Sequence, residues 1–174
     1  MDNLKIYTII DDALYAFQWE GEDTHCLDIL TRELTNIDFL RPFFLKRKEQ
    51  LSFFANRQPI DAAVKTLKEV RWMEADLLEI AKEGMKKGGA NLSSLFSPLD
   101  DRVKSRNFIQ AKAKGDRTDA PWVRIYAIKV DENEFYITGG GIKLTKTMEE
   151  DEYLKLQLER LKQAEAYLTE IGFI

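Results

Sequence analysis

The first twenty residues carry two short apolar runs separated by a polar pair. Residues 4–10 and 13–19 are rich in β-branched and aromatic side chains, and Asp11 and Asp12 lie between them. Runs of this length and composition, joined by a polar turn, favour a β-hairpin. The sequence therefore predicts two antiparallel strands at the start of the chain.

In the next part of the chain the apolar positions recur every three or four residues, which is the spacing of amphipathic helices. Within the first stripe, residues 28–48, Pro42 predicts a helix break or the start of a second helix. Another stripe predicts a helix from Pro59 to about Glu83, which the segment Lys87-Gly88-Gly89 ends. Its core-facing positions are expected to be Ile60, Val64, Leu67, Val70 or Arg71, Met73 or Glu74, Leu77 and Ala81.

Residues 91–98 are interpreted as a connector, after which the period changes to two. Residues 108–114 and 122–130 alternate polar with apolar side chains, a pattern that indicates β-strands with one buried face. An Asp-Glu-Asn turn at residues 131–133 leads into a further predicted strand at residues 134–138.

Three consecutive glycines, residues 139–141, follow this hairpin and precede a short extended segment, residues 142–145. The run lacks the spaced glycines of a phosphate-binding loop and the helix that would follow one. We therefore interpret it as a bulge or a close backbone approach in a bent strand. A long amphipathic helix is predicted from about Met148 to Ile171, where Gly172 ends it.

These elements predict an α+β fold in which an antiparallel sheet packs against helices. No repeat, low-complexity stretch or long linker divides the 174 residues, so we expect one domain. Residues 1–97 would supply a hairpin and helices, and residues 98–174 a sheet and the C-terminal helix.

The composition excludes several classes of protein. With 44% hydrophobic and 32% charged residues, the chain has the balance of a globular protein and not of a disordered one. A single cysteine, Cys26, rules out an internal disulfide, and the N-terminus lacks the features of an export signal. The run of about eighteen apolar residues that a membrane-spanning helix needs is also missing. We expect a cytoplasmic protein with no membrane partner.

Metal sites and serine nucleophiles are not expected. His25 and Cys26 are adjacent, so they point apart on regular structure, and the chain has no other histidine or cysteine to complete a metal site. The serines of residues 93–97 have only that one histidine as a possible base. We predict no metal and no cofactor, so any catalysis must use basic residues or carboxylates.

Basic residues concentrate in the second half of the chain, although the net charge is −4. Residues 102–146 carry ten Lys and Arg against five Asp and Glu, so this segment is +5 and the remainder is −9. Arg124 stands inside an apolar strand, where an uncompensated charge is costly. Its side chain must therefore reach solvent, an acidic partner or a ligand.

Five basic side chains lie on or beside neighbouring predicted strands and are expected to converge on one concave face of the sheet. They are Lys112, Lys114, Arg124, Lys143 and Lys146. Such a cluster suits phosphate contacts. An exposed sheet face covered with salt bridges explains the same pattern equally well.

The C-terminal half also carries an ordered series of motifs. The first two motifs are the predicted strands FIQAKAK and WVRIYAI, and the second of them has Arg124 at its centre. The DEN turn comes next, followed by FYITGGG. The last motif is IKLTKTM, which places a K-x-T immediately before the last helix. This series resembles the C-terminal part of toxins of the RelE/ParE superfamily, particularly the phage-derived HigB-like branch. The resemblance begins near Pro98 and leaves the N-terminal helices without a counterpart.

The resemblance implies the toxin component of a type II toxin-antitoxin system. Such a toxin would be a metal-independent, ribosome-associated mRNA endonuclease, or a gyrase inhibitor as in the ParE branch, neutralised by an antitoxin with a helix-turn-helix domain. Arg124, Lys143 and Lys146 would then hold RNA phosphates and stabilise charge during catalysis, with Lys112 and Lys114 binding nucleic acid. The alternative is a non-catalytic protein-interaction module with a RelE-like fold, whose charges serve solubility.

Overall fold

The computed structural model describes residues 4–55, 57–99, 109–115 and 120–172. The elements in chain order are β1 (Lys5–Ile10), β2 (Leu14–Gln18), α1 (Cys26–Leu34), α2 (Ile37–Lys46), α3 (Lys48–Ala55), α4 (Pro59–Glu83), β3 (Phe96–Pro98), β4 (Ile109–Lys114), β5 (Val123–Asp131), β6 (Glu134–Ile142) and α5 (Glu152–Glu170). Short 3₁₀ turns precede β3 and α5. The expected α+β class is confirmed.

The six strands form one sheet in the order β1-β2-β6-β5-β4-β3. Every neighbouring pair is antiparallel except β2 and β6, which are parallel, so the sheet is mixed. A parallel pair requires a long crossover between its strands, and the helices α1 to α4 lie in that connection. The predicted N-terminal hairpin is present, and it joins the same sheet as the C-terminal strands.

The three consecutive glycines belong to β6, which passes through them and ends at Ile142. The register with β5 shifts at this point, as a β-bulge does. A Cβ atom on Gly140 would collide with Leu30 of α1, and one on Gly141 would collide with Tyr153 of α5. Both α1 and α5 therefore pack closely against this part of β6. The interpretation as a bulge with close backbone approach is confirmed, whereas a separate extended segment at residues 142–145 is wrong.

The first helical stripe is broken at Asn36 and not at Pro42. The Asn36 Oδ1 accepts a hydrogen bond from the Asp38 N–H at 3.0 Å and so caps the start of α2. Pro42 is exposed inside α2, which continues through it to Lys46. The expectation of a break at Pro42 is therefore wrong, because a strong N-cap six residues earlier sets the boundary.

Other boundaries agree more closely with the sequence. The helix from Pro59 to Glu83 is confirmed, as are β5, the turn into β6 and the long C-terminal helix. Helix α3 and strand β3 were not predicted. The predicted start of β4, Phe108, lies outside the described residues. Among the described helices, none has a stretch long enough and sufficiently free of charge to cross a lipid bilayer.

The start of α5 is tied to α2 by an ion pair. The Arg47 Nε lies 2.9 Å from the Asp151 Oδ2, and its Nη2 lies 3.3 Å from the Oδ1. Asp151 also caps α5, because its Oδ1 accepts from the Tyr153 N–H at 2.8 Å. Burial raises the pKa of Asp151, but these hydrogen bonds and the Arg47 charge outweigh burial and leave the pKa below its ordinary value.

We therefore expect Asp151→Asn to lower the free energy of unfolding by about 1 kcal/mol at pH 7, since asparagine still caps a helix but loses the ion pair. A depressed folded-state pKa stabilises the fold above the ordinary carboxyl pKa, and this stabilisation disappears as the pH falls through the folded-state value. Urea unfolding at pH 7 and at about pH 2.5 tests this. The difference between the two proteins should be smaller in acid than at pH 7, and an equal difference at both pH values would contradict the assignment.

Candidate functional site

Three neighbouring strand ends carry basic side chains on one face of the sheet. Lys114 on β4 pairs with Arg124 on β5, and Arg124 in turn pairs with Gly141 on β6. The ladder continues beyond β6, because the Lys143 N–H donates to the Trp122 carbonyl at 2.8 Å. Alternate residues of a strand share a face, so Lys143 follows Gly141 on the side of Arg124.

A cavity of about 520 Å³ opens at these strand ends. We call it the basic cavity, and its described lining residues are Arg57, Lys65, Lys114, Ala120, Pro121, Trp122, Arg124, Lys143, Leu144 and Thr145. Half of them are Lys or Arg, and none of these described lining residues is acidic. The volume lies in the range of small-molecule sites.

Arg124 is held by backbone carbonyls. One of its terminal nitrogens donates to the Pro121 oxygen at 2.9 Å and to the Val123 oxygen at 3.1 Å. No carboxylate among the described residues forms an ion pair with it. Burial lowers the pKa of Arg124, while Tyr126 and Glu69 oppose the shift. A guanidinium remains charged at neutral pH, so Arg124 presents a fixed positive charge.

Lys143 experiences the repulsion of its neighbours. Burial is the largest cause that lowers the pKa of Lys143, and the positive charges of Lys112 and Arg124 lower it further. The carboxylates of Glu149 and Glu150 act in the opposite direction but do not reverse the shift. Cations that repel one another in this way are stabilised when an anion binds among them. The neutral amine form of Lys143 is also more accessible than that of an isolated lysine.

Lys65 of α4 forms the buried wall of the basic cavity. It is 7% exposed, and its Nζ lies 3.0 Å from the Glu69 Oε1, 3.3 Å from the Ala120 carbonyl and 4.2 Å from the centre of the Trp122 ring. The same Glu69 oxygen accepts from the Trp122 N–H at 3.1 Å. The ion pair therefore ties α4 to the residue just before β5.

The structure separates the five predicted basic residues. Lys114, Arg124 and Lys143 line the basic cavity. Lys112 pairs with Tyr126, one step further from the strand ends, and its charge acts on Lys143. Lys146 is exposed and does not line the cavity. Three of the five predicted basic residues therefore converge on the basic cavity, and Lys112 lies next to it.

Sequence reasoning missed Arg57, which lies before α4, and it missed Lys65 because it assigned the wrong face to the first half of α4. Ile60 and Val64, expected in the core, are 53% and 43% exposed. The buried face there is polar as well as apolar, and it includes Lys65, Thr66 and Glu69. The Trp122 indole donates to the Thr66 hydroxyl at 2.8 Å, so contacts with this tryptophan orient the helix. A Lys and a Glu four residues apart gave no signal that distinguished them from a surface pair.

A buried hydroxyl group lies near the site. Tyr126 is 1% exposed, and within the described part of the chain its Oη has no hydrogen-bond partner. Burial raises its pKa to about 12, although the Arg124 charge opposes the shift. Tyr126 is therefore neutral at ordinary pH, and its hydroxyl group can donate a hydrogen bond beside the cations.

The remaining polar candidates have structural roles. The Nδ1 of His25 accepts from the Asp28 N–H at 3.2 Å and caps α1. Cys26 is buried, and its thiol donates to the Ile137 carbonyl at 3.2 Å. The Ser93 hydroxyl donates to the Glu132 carbonyl at 2.6 Å. None of the three lines the basic cavity.

No protein-family model, curated protein or solved structure matches this chain. The resemblance to RelE/ParE toxins therefore stays a prediction that is based on the residues quoted above.

Proposed function

We propose that the basic cavity binds the phosphates of RNA and that the chain is the toxin-like component of a type II toxin-antitoxin system, acting as an mRNA endonuclease. The observation that carries the proposal is the cavity itself, in which Arg124, Lys114 and Lys143 converge without a described acidic lining residue. Its partner would be an antitoxin with a helix-turn-helix domain.

The charge arrangement supports phosphate binding. A guanidinium and two ammonium groups gathered at strand ends match the acceptor oxygens of a phosphodiester, and charge-assisted hydrogen bonds are the strongest available to such a group. Arg124 is preorganised by its two carbonyl contacts, so it loses little conformational freedom on binding. Lys146 lies outside the cavity and would contact a phosphate further along the RNA.

The proposed reaction needs only proton transfer and charge stabilisation. The ribose 2′-oxygen attacks the adjacent phosphorus, the P–O5′ bond breaks, and the products are a 2′,3′-cyclic phosphate and a free 5′-hydroxyl. A base accepts the 2′-hydroxyl proton, and an acid returns a proton to the 5′-oxygen. Arg124 would stabilise the charge that develops on the phosphoryl oxygens.

Lys143 is the proposed base. Its lowered pKa makes the neutral amine more accessible than in an ordinary lysine, and it lies on the same face as Arg124. The only histidine of the chain, His25, caps α1 and does not line the cavity, so an imidazole base is not proposed.

A cleavage assay with purified protein and a short single-stranded RNA tests this function. We expect products that end in 2′,3′-cyclic phosphate and 5′-hydroxyl, at a rate that EDTA does not change. Replacing the 2′-hydroxyl next to the cleaved bond with hydrogen should abolish cleavage there, because the nucleophile is removed.

Intact RNA after prolonged incubation, alone and with ribosomes, would refute the endonuclease function. Binding without cleavage would instead favour the non-catalytic module, in which the same cations serve an interaction.

A further inference from the structure

The N-terminal helical part contributes to the basic cavity, and this contribution suggests how much phosphate the cavity holds. The cations fall into two groups by origin. Lys114, Arg124 and Lys143 come from the ends of the central strands, whereas Arg57 and Lys65 come from the start of α4 and the segment before it. The second group has no counterpart in the motif series of the C-terminal half.

The Lys65–Glu69 ion pair is costly as a purely structural feature. Both residues are almost fully buried, at 7% and 2% exposure. Removing two charges from water costs several kcal/mol per ion, and an apolar pair of similar volume is often equally stable. Lys65 thus places a buried ammonium group in the wall of a cavity that four further cations line.

Base stacking is not available in the described lining. Trp122 is its only aromatic side chain, and the Lys65 ammonium lies 4.2 Å from the centre of that ring. The centres of the Phe44 and Trp122 rings lie 5.6 Å apart, and the Trp122 indole nitrogen donates to the Thr66 hydroxyl. Proteins that read bases on single strands usually offer an aromatic face to them. The cavity is thus suited to the phosphates of its ligand and not to its bases.

We infer that the basic cavity holds two adjacent phosphate groups, one against Lys114, Arg124 and Lys143 and the second against Lys65 and Arg57. This inference rests on the proposed phosphate binding and specifies its ligand. Five cationic side chains line the described part of the cavity, whereas a single phosphodiester carries one negative charge. Consecutive phosphates of an RNA strand and a free diphosphate group share this chemistry.

The test compares orthophosphate, pyrophosphate and a single-stranded oligouridylate as ligands in calorimetric titrations. The variant is Lys65→Met with Glu69→Gln, which removes both charges together and keeps an oxygen that can accept from the Trp122 N–H. Lys68→Met is the matched control, because Lys68 lies on the same helix, is exposed and does not line the cavity. Circular dichroism and the urea midpoint establish that the double variant is folded.

The wild-type protein should bind pyrophosphate at least about tenfold more tightly than orthophosphate. The double variant should lose this preference while keeping its orthophosphate affinity, and Lys68→Met should behave as wild type. For the oligonucleotide, the dependence of log affinity on log salt should become shallower by about 0.7. Stronger binding of the oligonucleotide than of pyrophosphate would identify RNA as the source of the phosphates, and the reverse would identify a free diphosphate.

Two outcomes separate the inference from the proposed function. A folded double variant that retains the pyrophosphate preference and the salt dependence would overturn the second phosphate subsite and leave RNA binding intact. A wild-type protein that binds pyrophosphate but not the oligonucleotide would support the subsite and overturn the proposed RNA function. Binding of none of the three ligands would overturn both.

Discussion

Induced expression of the wild-type chain is expected to arrest bacterial growth, and replacing Arg124 and Lys143 together with alanine is expected to restore it. The double change removes the fixed positive charge and the proposed base from the same face of the sheet. Losing two charge-assisted phosphate contacts weakens binding by about two orders of magnitude, and loss of the base slows cleavage by a further factor of about 10² or more. Growth curves and the rate of amino-acid incorporation after induction measure the effect.

The control for this experiment is Lys155→Ala with Lys162→Ala. Both lysines are exposed on α5 and form surface pairs with Glu152 and Glu159, so the change in net charge is the same while the basic cavity is untouched. This control should remain as toxic as the wild type, and immunoblots should give equal amounts of all three proteins. Equal toxicity of the Arg124/Lys143 variant would contradict a role for the cavity.

Replacing Gly140 with alanine is expected to destabilise the protein by about 3 kcal/mol. A Cβ atom there would lie 2.5 Å from the Arg124 carbonyl oxygen and 2.6 Å from the Leu30 Cδ2. The first of these atoms belongs to the backbone of the neighbouring strand, so it cannot move without disturbing the pairing of β5 with β6. A large fraction of a typical domain's stability would be lost.

Gly115→Ala is the matched control for this prediction, because its Cβ would meet only the Met73 side chain, at an ordinary 3.6 Å. Urea unfolding should give nearly the wild-type midpoint for this variant and a midpoint about 1 to 2 M lower for Gly140→Ala. Similar midpoints for Gly140→Ala and wild type would contradict the close approach of α1 to β6.

Much of the secondary structure could be predicted, because it follows from local patterns. The alternation in β5, the polar turn before β6 and the long stripe of α5 each depend on residues that are close in sequence. The break before α2 was misplaced because proline gives a strong local signal, whereas the capping asparagine, Asn36, is effective only once its side chain meets the Asp38 N–H. The parallel pairing of β2 with β6 depends on residues more than a hundred positions apart, for which periodicity carries no information.

The candidate site could be predicted only in part, for the same reason. Arg124 and Lys114 lie on strands whose pairing follows from a hairpin and alternation, so their proximity was foreseeable. Lys65 was not, because Trp122 turns the first half of α4 so that Lys65 and Glu69 face inwards while Ile60 and Val64 face solvent. A tertiary contact thus overrode the hydrophobic pattern of the helix.

The measurement that tests the central claim most directly is the affinity of the wild-type protein and of the Arg124→Ala/Lys143→Ala variant for single-stranded RNA at several salt concentrations. The wild type should bind with an affinity that falls as salt rises, and the variant should bind far more weakly with a slope shallower by about 1.4, because two phosphate contacts are lost. Equal affinities and equal slopes for the two proteins would contradict RNA phosphate binding in the basic cavity.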